Sequence, residues 1–295
     1  MLITKTSLDA LRVGFSALYQ SAYAGATTFY EQISTVVPSS TSENDYGWMA
    51  QIPQMREWLG PRILQNLSEH SYTLKNKPFE LTIGVDRDKI EDDQLGIYNP
   101  LMSNMGDVSA KWPDSILTTV LQAGTTGIGF DGVAHFAATH PLNPAGNQSN
   151  NFTGSALTGT NFAAARAAMM AYTGEGGRPI GVRPNLLIVP PQLEDEARVI
   201  VVAEYGSSGA TNVQRNQANV LVIPELSNAA TTWYLADTTR PIKGLVFQRR
   251  KGPFFVAKDA LTDDNVFHAR QFLYGVDARG NAGYGPWFLI SRSIA

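Results

Sequence analysis

The chain has 295 residues, with 23 Lys and Arg against 26 Asp and Glu, four His and no Cys. The missing cysteine excludes disulfides, thiolate metal sites and cysteine nucleophiles, and a net charge of -3 offers no broad basic field for a free-standing sequence-specific DNA reader. The length suits one large domain or two modest ones around a sizeable core.

Lys5, Asp9 and Arg12 interrupt the apolar residues at the start, so no signal peptide and no membrane span is expected, and the chain reads as cytoplasmic where it is made. Leu8, Leu11, Phe15, Leu18 and Ala22 recur every three or four residues behind Ser7, a suitable N-cap, which predicts an amphipathic helix. Such a helix packs on its own core or lies as an arm on a neighbouring subunit, and periodicity does not separate the two. Phe29, Ile33 and Val36 continue the apolar series up to the break at Pro38-Ser-Ser-Thr-Ser42. A further helical stretch is predicted from Trp48 to Leu67, interrupted at Gly60-Pro61.

Residues 71–90 change period. Tyr72, Leu74, Phe79, Leu81, Ile83 and Val85 alternate with polar residues around Lys75-Asn-Lys-Pro78, which predicts two strands and a turn, a hairpin projecting from the body. The acidic run Asp86-Arg-Asp-Lys-Ile-Glu-Asp-Asp93 follows. A long helix is then predicted over 93–123, with Asp92 and Asp93 at its N-terminus and Pro113 expected to kink or restart it. After a Gly- and Asn-rich stretch come a helix over 161–172, a short buried strand over 185–190 and a helix over 192–198. Strands are predicted at 219–223, 232–236, 243–248, 253–257, 266–275 and 286–290. Helices early and strands late make an α+β fold rather than an alternating one.

Chemistry-bearing motifs are weak. Gly127-Ile-Gly-Phe-Asp-Gly132 has the spacing of a dinucleotide loop but lacks the strand before it and the helix after it, so Asp131-Gly132 reads as a tight turn. His135 and His140, five apart near Asp131, do not share a helical face and read as structural histidines rather than metal ligands. Asp86 and Asp88 with Glu91, Asp92 and Asp93 lack the glycine and spacing of a calcium loop. There is no Gly-x-Ser-x-Gly elbow and no P-loop. No catalytic, cofactor-binding or metal residues are assigned, and the chain is not read as an enzyme. Arg249-Arg-Lys251 is a basic cluster expected at a turn before Gly252-Pro253, solvated or in contact with phosphates or a neighbour's acidic loop.

Several segments, in order, resemble the major head subunit family of Mu-like tailed bacteriophages. They are Phe79 to Gly96, Trp112-Pro-Asp114, Phe130-Asp-Gly-Val-Ala-His-Phe136 with His140-Pro141, Gly146-Asn147 with Ser149-Asn150, Ala156-Leu157, Ala164 to Met170, Pro179 to Glu194 and Gly280 to Trp287. The resemblance spans roughly residues 45 to 290 and rests on the order of its segments.

It implies a Hong Kong 97-type capsid fold. The N-terminal arm and helices would take 1–66, the E-loop hairpin 67–92, the peripheral domain with its spine helix 93–184 and 263–295, and the axial domain 185–262. It also implies hexamers and pentamers of this chain closing an icosahedral head, with portal and scaffolding proteins as partners and packaged double-stranded DNA held without sequence specificity. No cofactor and no membrane are implied, and the place of action is the virion capsid assembled in the host cytoplasm.

On this reading Lys75, Lys77 and Phe79, the acidic Asp86, Asp88, Glu91, Asp92 and Asp93, and the basic Arg249, Arg250 and Lys251 are candidates for subunit contact. The acidic and basic segments are expected to meet across a subunit boundary. A soluble enzyme of unknown chemistry is the alternative; a minor or decoration protein of similar fold is the third, and copy number per particle would distinguish it.

Overall fold

Thr4, rather than Ser7, caps the first helix, α1 (Lys5–Gly25). Its Oγ1 accepts the Ser7 N–H (3.2 Å), while Ser7 Oγ accepts the Thr4 N–H (2.9 Å), a reciprocal capping box. A computed structural model of the chain describes residues 3–47, 72–92, 95–142, 146–174, 177–206 and 209–295. The helix predicted from Trp48 to Leu67 lies outside the described residues, as does Asp93.

The helical series expected through Val36 stops early. After α2 (Tyr30–Ile33) the β-branched run Thr35-Val-Val37 extends as β1 (Ser34–Pro38). The next elements are β2 (Glu43–Asp45), β3 (Thr73–Lys75), β4 (Lys77–Asp86) and the short α3 (Arg87–Glu91). The long helix α4 (Asn99–Gln122) starts later than expected and runs through Pro113 without ending. Small strands β5 (His140–Leu142), β6 (Gly146–Gln148) and β7 (Asn151–Phe152) precede α5 (Gly159–Met170), β8 (Leu186–Val189), α6 (Glu194–Val201), β9 (Asn219–Val222) and β10 (Thr232–Ala236). The chain ends with β11 (Leu245–Lys258), α7 (Asp264–Ala269), β12 (Gln271–Tyr284) and β13 (Ile290–Ile294).

The described strands form a four-stranded sheet in the order β1-β11-β12-β4 and a five-stranded sheet in the order β7-β13-β10-β8-β9, with the small pairs β2-β3 and β5-β6. The hairpin expected over 71–90 is not formed. β4 pairs along its whole length with β12, and β3 pairs with β2, because alternating Leu81, Ile83 and Val85 find their apolar partners on the distant β12 and on α1 and α4. β2 and β3 thus lie side by side as an antiparallel pair. Of the strands expected over 243–248 and 253–257, residues 245–248 and 253–257 belong to the single long β11, while 243 and 244 precede it. The segment expected as a strand from 266 is helix α7 up to Ala269, and β12 starts at Gln271.

α1 lies on its own chain rather than on a neighbour. Leu8, Phe15 and Tyr19 are buried with Met102 and Met105 of α4 and Phe272 and Tyr274 of β12. The two helices touch at Gly106, where an added Cβ would stand 2.3 Å from the Tyr19 carbonyl oxygen, so only glycine permits this crossing. A second core joins the C-terminal half of α4 to both sheets, and a third sits between the five-stranded sheet, α5 and α6.

α4 also anchors the segment after α1. Buried Asp114 accepts the backbone N–H groups of Phe29 (3.1 Å) and Tyr30 (2.7 Å). Burial pushes its carboxyl up to about 6, against the pull of those two N–H groups. A folded-state value above the free carboxylate's means that the stability from this group is complete in acid, below the unfolded value, and is lost as pH rises through about 6. Asp114→Asn keeps an acceptor oxygen and cannot ionise. We expect urea melts between pH 4.5 and 7.5 to show the wild type losing stability with rising pH relative to Asp114→Asn. Parallel profiles would refute this.

The turn at Asp131-Gly132 forms as expected, with Gly132 at φ +80° and Gly129 N–H donating to Val133 O (2.7 Å). It serves a buried cluster. His140, fully buried, shares a hydrogen bond between Nδ1 and Asp131 Oδ2 (2.5 Å), donates from Nε2 to Asn150 Oδ1 (2.9 Å), and stacks on Trp287 at 4.1 Å. The Asn150 amide is oriented by Nδ2 donating to the His135, Trp287 and Ile290 carbonyls, so its Oδ1 faces His140. His140 is thus a bonded structural histidine. His135 differs: it is buried against Tyr284 with neither ring nitrogen bonded among the described residues, and burial, then the His140 charge, push it down to about 3.

Candidate subunit-contact surfaces

Strand register decides where the charged candidates lie. Along the β4-β12-β11 ribbon, Lys77 stands opposite Gly280, which stands opposite Arg249; one step on, Arg279 faces both Pro78 and Lys251. At the other end Gln271 stands opposite Asp86. The ten residues of β4 thus separate a basic end from an acidic end by about 30 Å.

At the basic end Lys75, Lys77, Arg249, Arg250, Lys251 and Arg279 are exposed, and among the described residues none lies within ion-pair distance of a carboxylate. Arg249 to Lys251 do not form the expected turn. They sit within β11 at a register shift, and a bulge of this kind re-aims side chains. Arg250 donates to Ser39 O (3.1 Å), and the Lys251 ammonium lies 3.6 Å over the Phe254 ring. Phe79 points to α4 and packs on Trp112 (5.1 Å), so it is half-buried in its own chain.

At the acidic end Asp86 caps α3 by accepting the Asp88 N–H (3.1 Å). Asp88 pairs with Arg270, Glu91 pairs with Arg87 (2.9 Å), and Asp92 closes the helix through its backbone N–H. These pairs are 40% or more exposed on both sides, so each is worth only about 0.2–1 kcal/mol and can exchange partners. Asp263 and Asp264, on the β11–β12 connection, add to this end.

Beside the basic end lies a polar knot that the sequence does not advertise. Gln248, fully buried in β11, donates from Nε2 to Leu74 O (3.1 Å) and Asn76 Oδ1 (2.8 Å) and accepts the Tyr46 hydroxyl on Oε1 (2.7 Å). Asn76 Nδ2 donates to Ser39 Oγ and Thr41 O (both 2.9 Å). The knot ties β2 and β3 to the sheet. Burial pushes the Tyr46 hydroxyl up to about 12. Asn76, flanked by Lys75 and Lys77, is therefore committed within the chain and is not presented to a neighbour's lysine. A signal existed in Leu-Val-Phe-Gln248, where a glutamine falls in an otherwise apolar strand.

Among the described residues no group of three or more His, Asp or Glu could hold a metal ion, and no helix is long and apolar enough to cross a membrane. What the geometry presents is a braced ribbon with opposite charge at its two ends. The model of the family described as "Mu-like prophage major head subunit gpT" matches residues 8–156, 152–226 and 225–295. The chain belongs to that family.

Its role is that of a major capsid subunit of a phage head, a structural part of the virion shell that assembles with its own copies. This head subunit is 30% identical over 287 residues to the major capsid protein of Escherichia phage Mu, covering 97% of this chain and 73% of that one. The procapsid of bacteriophage JBD30 superposes with a TM-score of 0.62 at 30% identity, over 99% of this chain and 76% of that chain. The JBD30 capsid decorated with minor capsid protein trimers matches with a TM-score of 0.58 at 29% identity, over 70% and 92%. The expected Hong Kong 97-type capsid fold is thereby established.

Proposed function

We propose that neighbouring head subunits join head to tail through the two charged ends of the ribbon. Arg249, Arg250 and Lys251 of one copy, with Lys75 and Lys77, would face Asp86, Asp88, Glu91, Asp92 and Asp93 of the next. The observation that carries this reading is the register. It holds the acidic and basic segments at opposite ends of one chain, where they cannot meet each other and only a second copy can bring them together. A contact between two different patches is heterologous, and such contacts close into rings when the rotation permits. On this reading the rings would be the hexamers and pentamers expected of an icosahedral shell around double-stranded DNA.

The peripheral domain would hold α4 and the long ribbon, and the axial domain the β8-β9-β10 part of the second sheet. Portal and scaffolding proteins are the expected further partners, and a minor capsid protein, as in the decorated JBD30 capsid, is a candidate for the outer surface.

Each exposed pair contributes little, but a ring repeats the contact at every boundary. Arg249→Glu with Arg250→Glu is expected to cut shell yield at least tenfold in negative-stain counts, with an unchanged monomer melt. Adding Glu91→Lys and Asp92→Lys should restore at least half of it. Unchanged yield in the first variant, or no rescue in the second, sinks the charge contact.

A further inference from the structure

Two apolar features of the same ribbon have no partner among the described residues. Phe267, on α7, is 81% exposed. It is not on a loose tip: Asn265 Nδ2 bonds to Lys258 O (3.0 Å) and Gln271 O (2.7 Å), Val266 is buried, and Arg270 ties the end of the helix to Asp88. A large aromatic ring is thus held out to solvent on a braced mount with Asp263 and Asp264 beside it. Ordered, exposed aromatic side chains of this kind are the usual anchors of interfaces.

The second feature is a hole of about 130 Å³ between the inner face of the ribbon and α4, lined mainly by Phe79, Leu81, Val108, Trp112, Pro253 and Val276. Its size is close to the ~150 Å³ of a dry cavity that takes one benzene ring. Its lining is almost wholly apolar; Glu80 is the one carboxylate there. The indole N–H of Trp112 is buried with no acceptor among the described residues, and the face of an aromatic guest is a weak acceptor for such a group. Around the hole stand Lys77, Lys251 and Arg279, two, two and one residues along their strands from Phe79, Pro253 and the lining Ala278. Phe267 cannot fill the hole of its own chain, because Ala278 and Gln271 lie seven residues apart on β12, roughly 20 Å or more, and α7 is beyond Gln271.

We infer that Phe267 of one copy seats in this hole of the next copy, an apolar knob beside carboxylates entering an apolar hole beside cations. The inference rests on the head-to-tail reading above and supplies its anchor: exposed charges steer and orient, while burial of one aromatic ring at each boundary provides most of the affinity.

The chain has no cysteine, so a pair of introduced thiols reports without background. In Phe267→Cys with Val108→Cys, treatment of assembled shells with a short bis-maleimide should give a denaturing-gel ladder up to the ring size, whereas Phe267→Cys alone stays monomeric. Phe267→Ala should need roughly 10- to 100-fold more protein to form shells, the cost of losing one buried aromatic ring per contact, with an unchanged monomer melt because the residue is exposed. Shells that form without a ladder, or dimers from Phe267→Cys alone, overturn the inference and leave the charge contact standing. Wild-type yield from Phe267→Ala overturns it as well, even if the paired-cysteine variant does not assemble. Indifference of assembly to the Arg249 and Arg250 reversal would instead remove the reading beneath it.

Discussion

His140→Leu is expected to cost roughly 2–6 kcal/mol of folding stability, about 1–3 kcal/mol for each of the two buried polar groups that lose their partner, and to lower shell yield with it. The loss is not that of one side chain's contacts. Asp131, with a side chain only 9% exposed, would lose its buried hydrogen-bond partner, and Asn150 Oδ1 would lose one of its two donors. Trp287 would lose the ring stacked on it at 4.1 Å. Asn150 ties the 135–150 segment to the Trp287 and Ile290 carbonyls, so the strain falls where the loop after α4 meets β13 of the second sheet. Urea unfolding at neutral pH measures the loss. His140→Leu with Asp131→Leu should recover part of it, because the orphaned polar carboxyl goes with its partner. A single variant within 1 kcal/mol of wild type would contradict this account.

Gln248→Leu should destabilise by roughly 2–6 kcal/mol, since it strands the Leu74 carbonyl and Asn76 Oδ1 in a dry site at about 1–3 kcal/mol each. It also takes away the Gln248 oxygen that accepts the Tyr46 hydroxyl. The replacement is close in volume and more apolar, so loss from this change cannot be assigned to a cavity. Its second effect separates it from a generic core lesion. β2 and β3 are a three-residue pair, and the knot is what holds them to the sheet. Hydrogen exchange at Tyr46 and Leu74 should rise by at least a hundredfold, while α5 and α6 amides stay protected. Uniform loss of protection across the molecule would count against a local role.

Much of the helical content was legible because its causes lie within a few residues. The three-to-four spacing from Leu8 to Ala22 forms α1, and helix formers around Ala163 to Met170 form α5. The cap moved by one box partner, from Ser7 to Thr4, since both side chains take part. Strand 232–236 was found to the residue because it is apolar and buried on both faces. The errors have one origin. Residues 73–86 alternate as a hairpin would, yet each strand has a better partner elsewhere: β3 with β2, and β4 with β12 near the end of the chain. Alternation states that a strand has a buried face, not what covers it. Phe267 was placed in a strand by its apolar neighbours and proves to be the exposed face of a capped turn of helix.

The contact candidates show the same division. That Asp86 to Asp93 is acidic and Arg249 to Lys251 basic is plain from the sequence, and so is the ordered resemblance that led to the head subunit family. Charge and local periodicity are properties of short segments, and so are the lack of thiols and the tight turn at Asp131-Gly132. Only the tertiary structure could place the two charged segments at opposite ends of one ribbon, lay α1 on its own α4 across Gly106, and bury Gln248 among the roots of β2 and β3. Each of these depends on pairing between residues far apart in the chain. Such pairing is chosen by the burial and hydrogen bonding of the whole molecule, and no window of sequence contains both partners.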